Sequence, residues 1–444
     1  MRQLFGTDGI RSRADEYPLD PATMFALGQA LSHRLSRTGA GPLILLGMDT
    51  RESGGRIARP LAAGIAAGGG RASFLGVVPT PAVAYLCRLS DAAGGISISA
   101  SHNPFEDNGV KVFGSDGMKL SDGLERQIEE ELLALRREDP IHAAPDLHEA
   151  LSLIEQYERF LIDAVGAGSL QGMNVVLDSG HGAAFRIARE VFERAGANVH
   201  AINVAPDGRN INAGSGALHP EGLAREVIDA KADVGIAFDG DADRAIFVDD
   251  AGAIRNGDEI LYLWALREKS RDKLQGDLVV ATVMSNLGFE KSLEREGIRL
   301  LRSAVGDKYV LEMMIEHGAL LGGEQSGHII DLASHTTGDG LHTGLVMAAL
   351  IKTSGKRFSQ LPTFQPMPQI LINQKVASKP PLDSIAGYEE TLRFCQNQLG
   401  GKGRILVRYS GTENLVRVMV EGESERDIRA VAERLRSTLE QEIG

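Results

Sequence analysis

Three stretches of the chain repeat one arrangement of apolar and polar positions. Each has a short apolar run, a turn of small or acidic residues, and then a segment with apolar residues at helical spacing. The first is residues 42–55 followed by 57–67, the second 174–184 followed by 185–195, and the third 278–288 followed by 289–296. Each predicts a strand, a loop and a helix, the opening of a β-α-β unit. Recurrence at a period of roughly 100 to 130 residues predicts three related α/β domains rather than a solenoid.

Punctuation between these units suggests boundaries. Residues 125–145 read as a charged helix ending near Pro140 and Pro145, which places a boundary near residue 150. A second falls at 252–256, and a third within 358–368, where Pro362, Pro366 and Pro368 break the pattern. The tail differs: strand-like runs at 369–376, 404–409 and 415–421 precede a helix at 424–443. The expected organisation is α/β with four domains, 1–150, 151–253, 254–365 and 366–444. The first three are related mixed-sheet domains and the last is a smaller α+β domain.

Composition narrows the class. A chain of 444 residues with 43% hydrophobic and 24% charged residues suits a soluble enzyme of two to four domains. The 47 basic and 60 acidic residues give a net charge of −13, which repels a nucleic-acid backbone, and 5% aromatics leave few stacking platforms. Cys87 and Cys395 lack metal-ligand spacing and predict reduced core thiols. Residues 1–18 carry charges throughout and predict no secretory signal. The longest uncharged run, 72–87, contains Pro79 and Pro81 and is too short and broken to span a membrane. The expectation is a cytoplasmic protein with no nucleic-acid or membrane partner.

Five motifs carry candidate chemistry. Ser99-Ala-Ser101-His102-Asn-Pro104 follows apolar residues 95–98, which fixes Ser101 and His102 on a tight loop; Lys111, ten residues on, returns toward the serine across a hairpin. The alternative is a polar turn. No complete G-x-S-x-G elbow is present to support a hydrolase triad. Asp239, Asp241 and Asp243 alternate on one turn before Arg244, after an apolar strand at 233–238. At about 4 Å and an effective dielectric near 20, each such pair repels by about 4 kcal/mol, so the cluster calls for a hard cation or a solvated turn. The calcium-loop template fails, because Arg244 stands where glycine is required and Asp250 where glutamate is. Mg²⁺, completed by a phosphate oxygen, fits better.

Glu324, Ser326 and His328 lie on a glycine-flanked loop suited to sugar hydroxyls, or to a surface turn. Arg408, Ser410, Gly411, Thr412 and Arg417 combine guanidinium, hydroxyl and free backbone N–H groups, as a phosphomonoester requires; a plain hairpin is the other reading. No Walker A sequence occurs to suggest a nucleotide. Phe5-Gly-Thr-Asp-Gly-Ile-Arg11 is a glycine-punctuated start that either folds under the site or leads in irregularly.

Together and in this order, the five motifs resemble the α-D-phosphohexomutase superfamily, across nearly the whole chain. Gln325, Gly411 and Val305-Gly-Asp-Lys308 resemble its glucosamine-phosphate branch. The resemblance implies four domains around a central cleft and interconversion of glucosamine 6-phosphate and glucosamine 1-phosphate through a bisphosphate intermediate. It implies that Ser101 is the phosphoserine and that one Mg²⁺ is held by Ser101, Asp239, Asp241 and Asp243. Arg11, His102 and Lys111 would surround the transferring group, with Arg244 beside the metal. Glu324, Ser326 and His328 would contact the sugar, and Arg408, Ser410, Gly411, Thr412 and Arg417 the other phosphate. A glucosamine or glucose 1,6-bisphosphate would serve as activator, and an apolar patch on the first domain leaves room for a homodimer. Ser12, Tyr409 and Asn414 depart from the family's usual residues and bear on loop conformation, whereas Ala242 falls within its ordinary variation. The alternatives are a glucose- or mannose-phosphate mutase, a metal-dependent phosphatase, and a non-catalytic sugar-phosphate sensor.

Overall fold

The computed structural model describes residues 4–6, 8–35, 42–137, 146–410 and 414–444. The chain forms two compact units, one of residues 1–282 with 303–362 and one of 283–302 with 363–444.

In the first unit the opening elements are β1 (Ile10–Arg13), α1 (Pro21–Leu35), β2 (Leu43–Met48), α2 (Gly54–Ala67), β3 (Arg71–Val77), α3 (Thr80–Leu89), β4 (Gly94–Ile98), β5 (Asp107–Gly114) and α4 (Asp122–Leu135). The uncharged run at 72–87 divides into β3 and α3, since Pro81 stands in the first helical turn, where its missing N–H costs nothing. Ser121 caps α4 by accepting from Leu124 N–H. The five strands form one sheet in the order β1-β5-β4-β2-β3. β2, β3 and β4 run parallel, while β5 is antiparallel to both β4 and β1. β4 is buried along its length, so its apolar residues need not alternate with polar ones. The boundary expected at Pro140 and Pro145 lies outside the described residues.

The chain then repeats itself. After α5 (Leu151–Asp163) come β6 (Asn174–Asp178), α6 (Ile187–Arg194), β7 (Asn198–Ile202), α7 (Glu221–Ala230), β8 (Val234–Phe238), β9 (Ala245–Asp249) and β10 (Ile254–Arg255). Their order, β10-β9-β8-β6-β7, repeats the plan of the first sheet, with β6, β7 and β8 parallel and β9 antiparallel to both β8 and β10; the edge strand β10 follows the others in the chain, whereas β1 precedes them. α8 (Gly257–Ser270) opens with a capping box between Asn256 and Glu259. β11 (Leu278–Thr282) follows, then α9 (Leu287–Arg295) and β12 (Arg299–Ser303), α10 (Asp307–His317), β13 (Leu321–Gly323), β14 (Ile329–Asp331) and the largely buried α11 (Gly340–Ser354). β11 pairs parallel with β13, and β13 antiparallel with β14.

In each of the three sheets the last parallel strand therefore turns into an antiparallel neighbour, at β4–β5, β8–β9 and β13–β14. The turns carry Ser101, the aspartate cluster and Glu324 to His328, respectively. Such a switch from parallel to antiparallel lies at the carboxyl ends of the parallel strands, where α/β sheets present their ligand-binding loops.

The second unit holds α9 and a three-stranded antiparallel sheet in the order β15-β17-β16, made of β15 (Gln369–Lys375), β16 (Gly403–Tyr409) and β17 (Leu415–Gly422). α12 (Tyr388–Leu399) and α13 (Glu425–Ile443) accompany it. Val416, Val418 and Val420 of β17 and Ile428, Val431 and Leu435 of α13 share its core. Among the described residues, no helix is long and apolar enough to cross a membrane.

Candidate active site

The turn after β4 is held in an unusual shape. Ser101 lies in the left-handed region at φ 52°, which costs a non-glycine residue on the order of 1–3 kcal/mol. Hydrogen bonds offset that cost. Ser101 N–H donates to Ser99 Oγ at 2.8 Å, and Ser99 Oγ donates to Asp49 at 2.6 Å. The Ser101 carbonyl accepts from Arg51 at 3.0 Å and from Asn212 Nδ2 at 2.9 Å. Gly240 is required where the metal-loop backbone meets this turn, since a Cβ there would stand 2.4 Å from the Ser101 carbonyl oxygen.

The hydroxyl so positioned faces the cluster. Ser101 Oγ donates to Asp239 Oδ2 at 2.7 Å and lies 3.4 Å from His102 Nδ1. Asp239, Asp241 and Asp243 are all buried, with one oxygen from each within 4.8 Å of the others. Burial, then Asp243 and Asp241, push the Asp239 carboxyl up to about 8. Asp241 Oδ1 and Asp243 Oδ1 are buried without a hydrogen-bond partner. Crowded hard oxygens, two of them orphaned and one carboxyl reluctant to ionise, are the donor set a divalent cation satisfies. The residues fit the metal.

Basic groups close the site. Burial opposes the charge of Lys111, yet Asp241, Asp243 and Asp8 outweigh it and hold its ammonium well above the usual lysine range. Its Nζ donates to Asp241 at 2.8 Å and to Asp243 at 3.1 Å, and lies 3.4 Å from Asp8. The expected hairpin forms, with Lys111 opposite Ser97, but the ammonium goes to these carboxylates. Arg11 pairs with Asp8. Arg244 Nη1 approaches His102 Nδ1 at 3.2 Å, and its Nε stands 3.7 Å from Asp243. Burial, Arg244 and Arg11 depress His102 to about 4, so its imidazole is neutral near pH 7.

The turn after β13 enters the same unit. His328, only 2% exposed, has Nδ1 3.7 Å from Asp243, and its Nε2 accepts from Gly338 N–H at 3.1 Å. Glu324 accepts from Gly306 N–H at 3.1 Å and from Ser326 Oγ at 3.3 Å. The structure thus brings together Ser101, His102, Lys111, Arg11, the three aspartates, Arg244 and His328, with Glu324 and Ser326 on the loop that carries His328.

The second unit carries the remaining candidates. Arg408 and Arg417 face each other directly across β16 and β17, where like charges repel. Burial and Arg417 lower the Arg408 guanidinium. Ser410 is buried, and its carbonyl accepts from Lys379 Nζ at 2.8 Å. Gly411 and Thr412 lie outside the described residues.

Sequence reasoning missed Asp8, Asp49, Arg51, Thr80 and Asn212. One signal was available: Asp49-Thr-Arg51 ends the apolar β2 much as the aspartate cluster ends β8. The others gain meaning only through packing. Thr80, for instance, donates to Asp241 at 2.6 Å across 161 positions of sequence.

A serine hydroxyl on a carboxylate cluster that fits a divalent cation, with both delivered by matching sheet turns, agrees with sequence comparison. The chain belongs to the phosphoglucomutase/phosphomannomutase family: profiles of its alpha/beta/alpha domains I, II and III and of its C-terminal domain match residues 2–138, 155–252, 256–366 and 371–438. Among its relatives are phosphoglucosamine mutases. That of Bdellovibrio bacteriovorus is 44% identical over 99% of both chains, and that of Koribacter versatilis 46% identical over 100% of this chain and 98% of the relative. In fold, the chain matches a Burkholderia thailandensis phosphoglucomutase/phosphomannomutase family protein with a TM-score of 0.79 at 22% identity, over 99% of this chain and 98% of that one. Aspergillus fumigatus N-acetylphosphoglucosamine mutase, solved with GlcNAc-6P and magnesium, matches with a TM-score of 0.67 at 17% identity, over 99% of this chain and 96% of that one.

Proposed function

We propose that this enzyme interconverts glucosamine 6-phosphate and glucosamine 1-phosphate, with Ser101 carrying the phosphoryl group between turnovers. The observation that carries the reading is the 2.7 Å contact of Ser101 Oγ with Asp239 in a buried three-aspartate group. Full-length relatives named phosphoglucosamine mutase support the sugar.

Asp239, Asp241, Asp243 and a phosphoryl oxygen on Ser101 would hold one Mg²⁺, which when bound supplies charge neutralisation for a phosphoryl group carrying about two negative charges. Arg11 and Arg244 stabilise the equatorial oxygens of a loose, metaphosphate-like transition state. Neutral His102 offers no permanent charge and orients the serine. Lys111, held as an ammonium, gives a proton to the oxygen that leaves, and neutral His102 takes that of the attacking hydroxyl. Glu324, Ser326 and His328 bind the sugar, and Arg408, Ser410, Gly411, Thr412 and Arg417 the phosphate not being transferred. Two directly opposed arginines gain from an anion between them, which supports that assignment. Ser101 gives its phosphoryl group to O1 of glucosamine 6-phosphate and takes one back from O6 of the bisphosphate. A glucosamine or glucose 1,6-bisphosphate restarts enzyme that has lost its phosphoryl group. The two free, buried cysteines suit a reducing cytoplasm.

The test is intact-protein mass followed by a coupled assay of glucosamine 6-phosphate isomerisation with Mg²⁺. The expected result is a species heavier by one phosphoryl group, mapped to Ser101 and tracking activity. Protein that stays inactive after treatment with a sugar bisphosphate overturns the reading, and parallel kinetics on glucose and mannose phosphates rank the sugars.

A further inference from the structure

Six charged or titratable groups form a closed ring through the site. Asp243 lies 3.1 Å from Lys111, Lys111 3.4 Å from Asp8, and Asp8 2.5 Å from Lys119. Lys119 lies 2.5 Å from Asp307, Asp307 3.9 Å from His328, and His328 3.7 Å from Asp243. Sign alternates from Asp243 through Lys111, Asp8 and Lys119 to Asp307, and His328 closes the ring with Nδ1 toward Asp243 and Nε2 accepting from Gly338 N–H. Lys111, Asp243 and His328 belong to the site already described, whereas Lys119 has no place in it. Its side chain is 15% exposed and pairs with Asp8 and Asp307 rather than with the aspartate cluster or Ser101.

Lys119 is nonetheless firmly placed. It follows a tight turn closed by the Gly114 N–H to Met118 carbonyl bond at 2.8 Å and bridges back to Phe113. Thr336 Oγ1 ties the same turn down by donating to the Gly117 carbonyl at 2.7 Å. From there the ammonium reaches in two directions. Asp8 on one side is the shared partner of Arg11 and Lys111. Asp307 on the other follows Gly306, whose N–H holds Glu324.

We infer that Lys119 is a positioning residue, which sets the phosphoryl-transfer side of the site (Asp8, Arg11, Lys111) in register with the sugar side (Asp307, His328, Glu324). Without it, Asp8 is left to draw Lys111 away from Asp241 and Asp243. Asp307, losing its 2.5 Å partner, is left as an uncompensated carboxylate 3.9 Å from His328 Nε2 and displaces the imidazole that faces Asp243. Both displacements act on reacting geometry, where small misplacements are costly.

The inference rests on the mutase reading, and its test separates the two. Wild type, Lys119→Met, Lys119→Arg, Asp307→Asn and the Lys119→Met/Asp307→Asn double variant are compared in kcat and KM for glucosamine 6-phosphate, with thermal midpoints alongside. Lys119→Met is expected to lower kcat about 30-fold or more with KM changed less than about threefold, and Lys119→Arg to recover most of that loss. The double variant is expected to lose clearly less than the product of the two single losses, as interacting partners do. A Lys119→Met enzyme within about threefold of wild type in kcat overturns the inference, as does a Lys119→Arg variant no better than Lys119→Met, or multiplicative losses in the double variant. If wild type itself shows no mutase activity, the functional reading fails. Lys119 is then judged by the rate at which Ser101 takes up a phosphoryl group from glucose 1,6-bisphosphate, followed by intact mass. An unchanged rate in Lys119→Met overturns the inference, and a slowed rate restored in Lys119→Arg supports it.

Discussion

Arg51 donates to the carbonyl oxygen of Ser101 at 3.0 Å from a side chain with no solvent exposure. The same guanidinium reaches the carbonyls of Asn103 at 2.8 Å and Asp107 at 3.0 Å, and that of Pro104, while its Nε pairs with Asp49 at 2.9 Å. One rigid fork thus gathers four carbonyls between Ser101 and Asp107. A lysine keeps the charge and loses the fork. Arg51→Lys is therefore expected to cut kcat by about 100-fold with KM little changed. Steady-state kinetics check this, and kcat near wild type would show that Ser101 holds its geometry without the clamp.

Ser101→Ala removes the proposed carrier and leaves the carbonyl contacts of the turn in place. Turnover is expected to vanish, with far-ultraviolet circular dichroism and thermal midpoint close to wild type. Substantial mutase activity in the folded variant would end the phosphoserine assignment.

Asp241 accepts from Thr80 and Lys111 through Oδ2 while its buried Oδ1 has no partner. Asp241→Asn removes one anionic ligand and is expected to weaken Mg²⁺ binding at least about tenfold by calorimetric titration. An unchanged isotherm would count against the cluster as the metal site.

His335 gives a pH prediction. Its buried ring donates from Nε2 to the Pro81 carbonyl at 2.9 Å and accepts at Nδ1 from Thr337 N–H at 3.3 Å, so both nitrogens are satisfied in the neutral form. Burial, then His342, lower it from 6.5 to about 3. Its contribution to stability is complete above the unfolded value. As pH falls through that window the unfolded chain takes up a proton that the folded chain refuses, and about 1.4 kcal/mol is lost per unit. His335→Gln is expected to flatten the fall in stability between pH 6 and pH 4, measured by urea denaturation at each pH. Equal slopes for variant and wild type would contradict it.

What the sequence disclosed follows from which features are local. Apolar runs ending in a polar turn announced β4, β8 and β13, since a strand buried in a sheet must be apolar and the turn beyond it is where polar groups can gather. Ser101, Asp239, Asp241 and Asp243 were legible for that reason. Asn212 and Thr80 were not, because a lone asparagine or threonine acquires its role only when another loop is packed against it. The pairing of Arg408 with Arg417 was half legible: two arginines near a glycine suggested an anion, but their direct opposition depends on strand register.

The three sheet turns also bear on how such a site arises. In the first unit, one structural position has been filled three times: by the proposed phosphoserine after β4, by carboxylates after β8, and by Glu324, Ser326 and His328 after β13. The sheets beneath repeat a single plan while the turns share no residue pattern. The strands aim and the turns differ, so the chemistry such a scaffold offers is set by a handful of turn positions while the sheet that presents them is held constant.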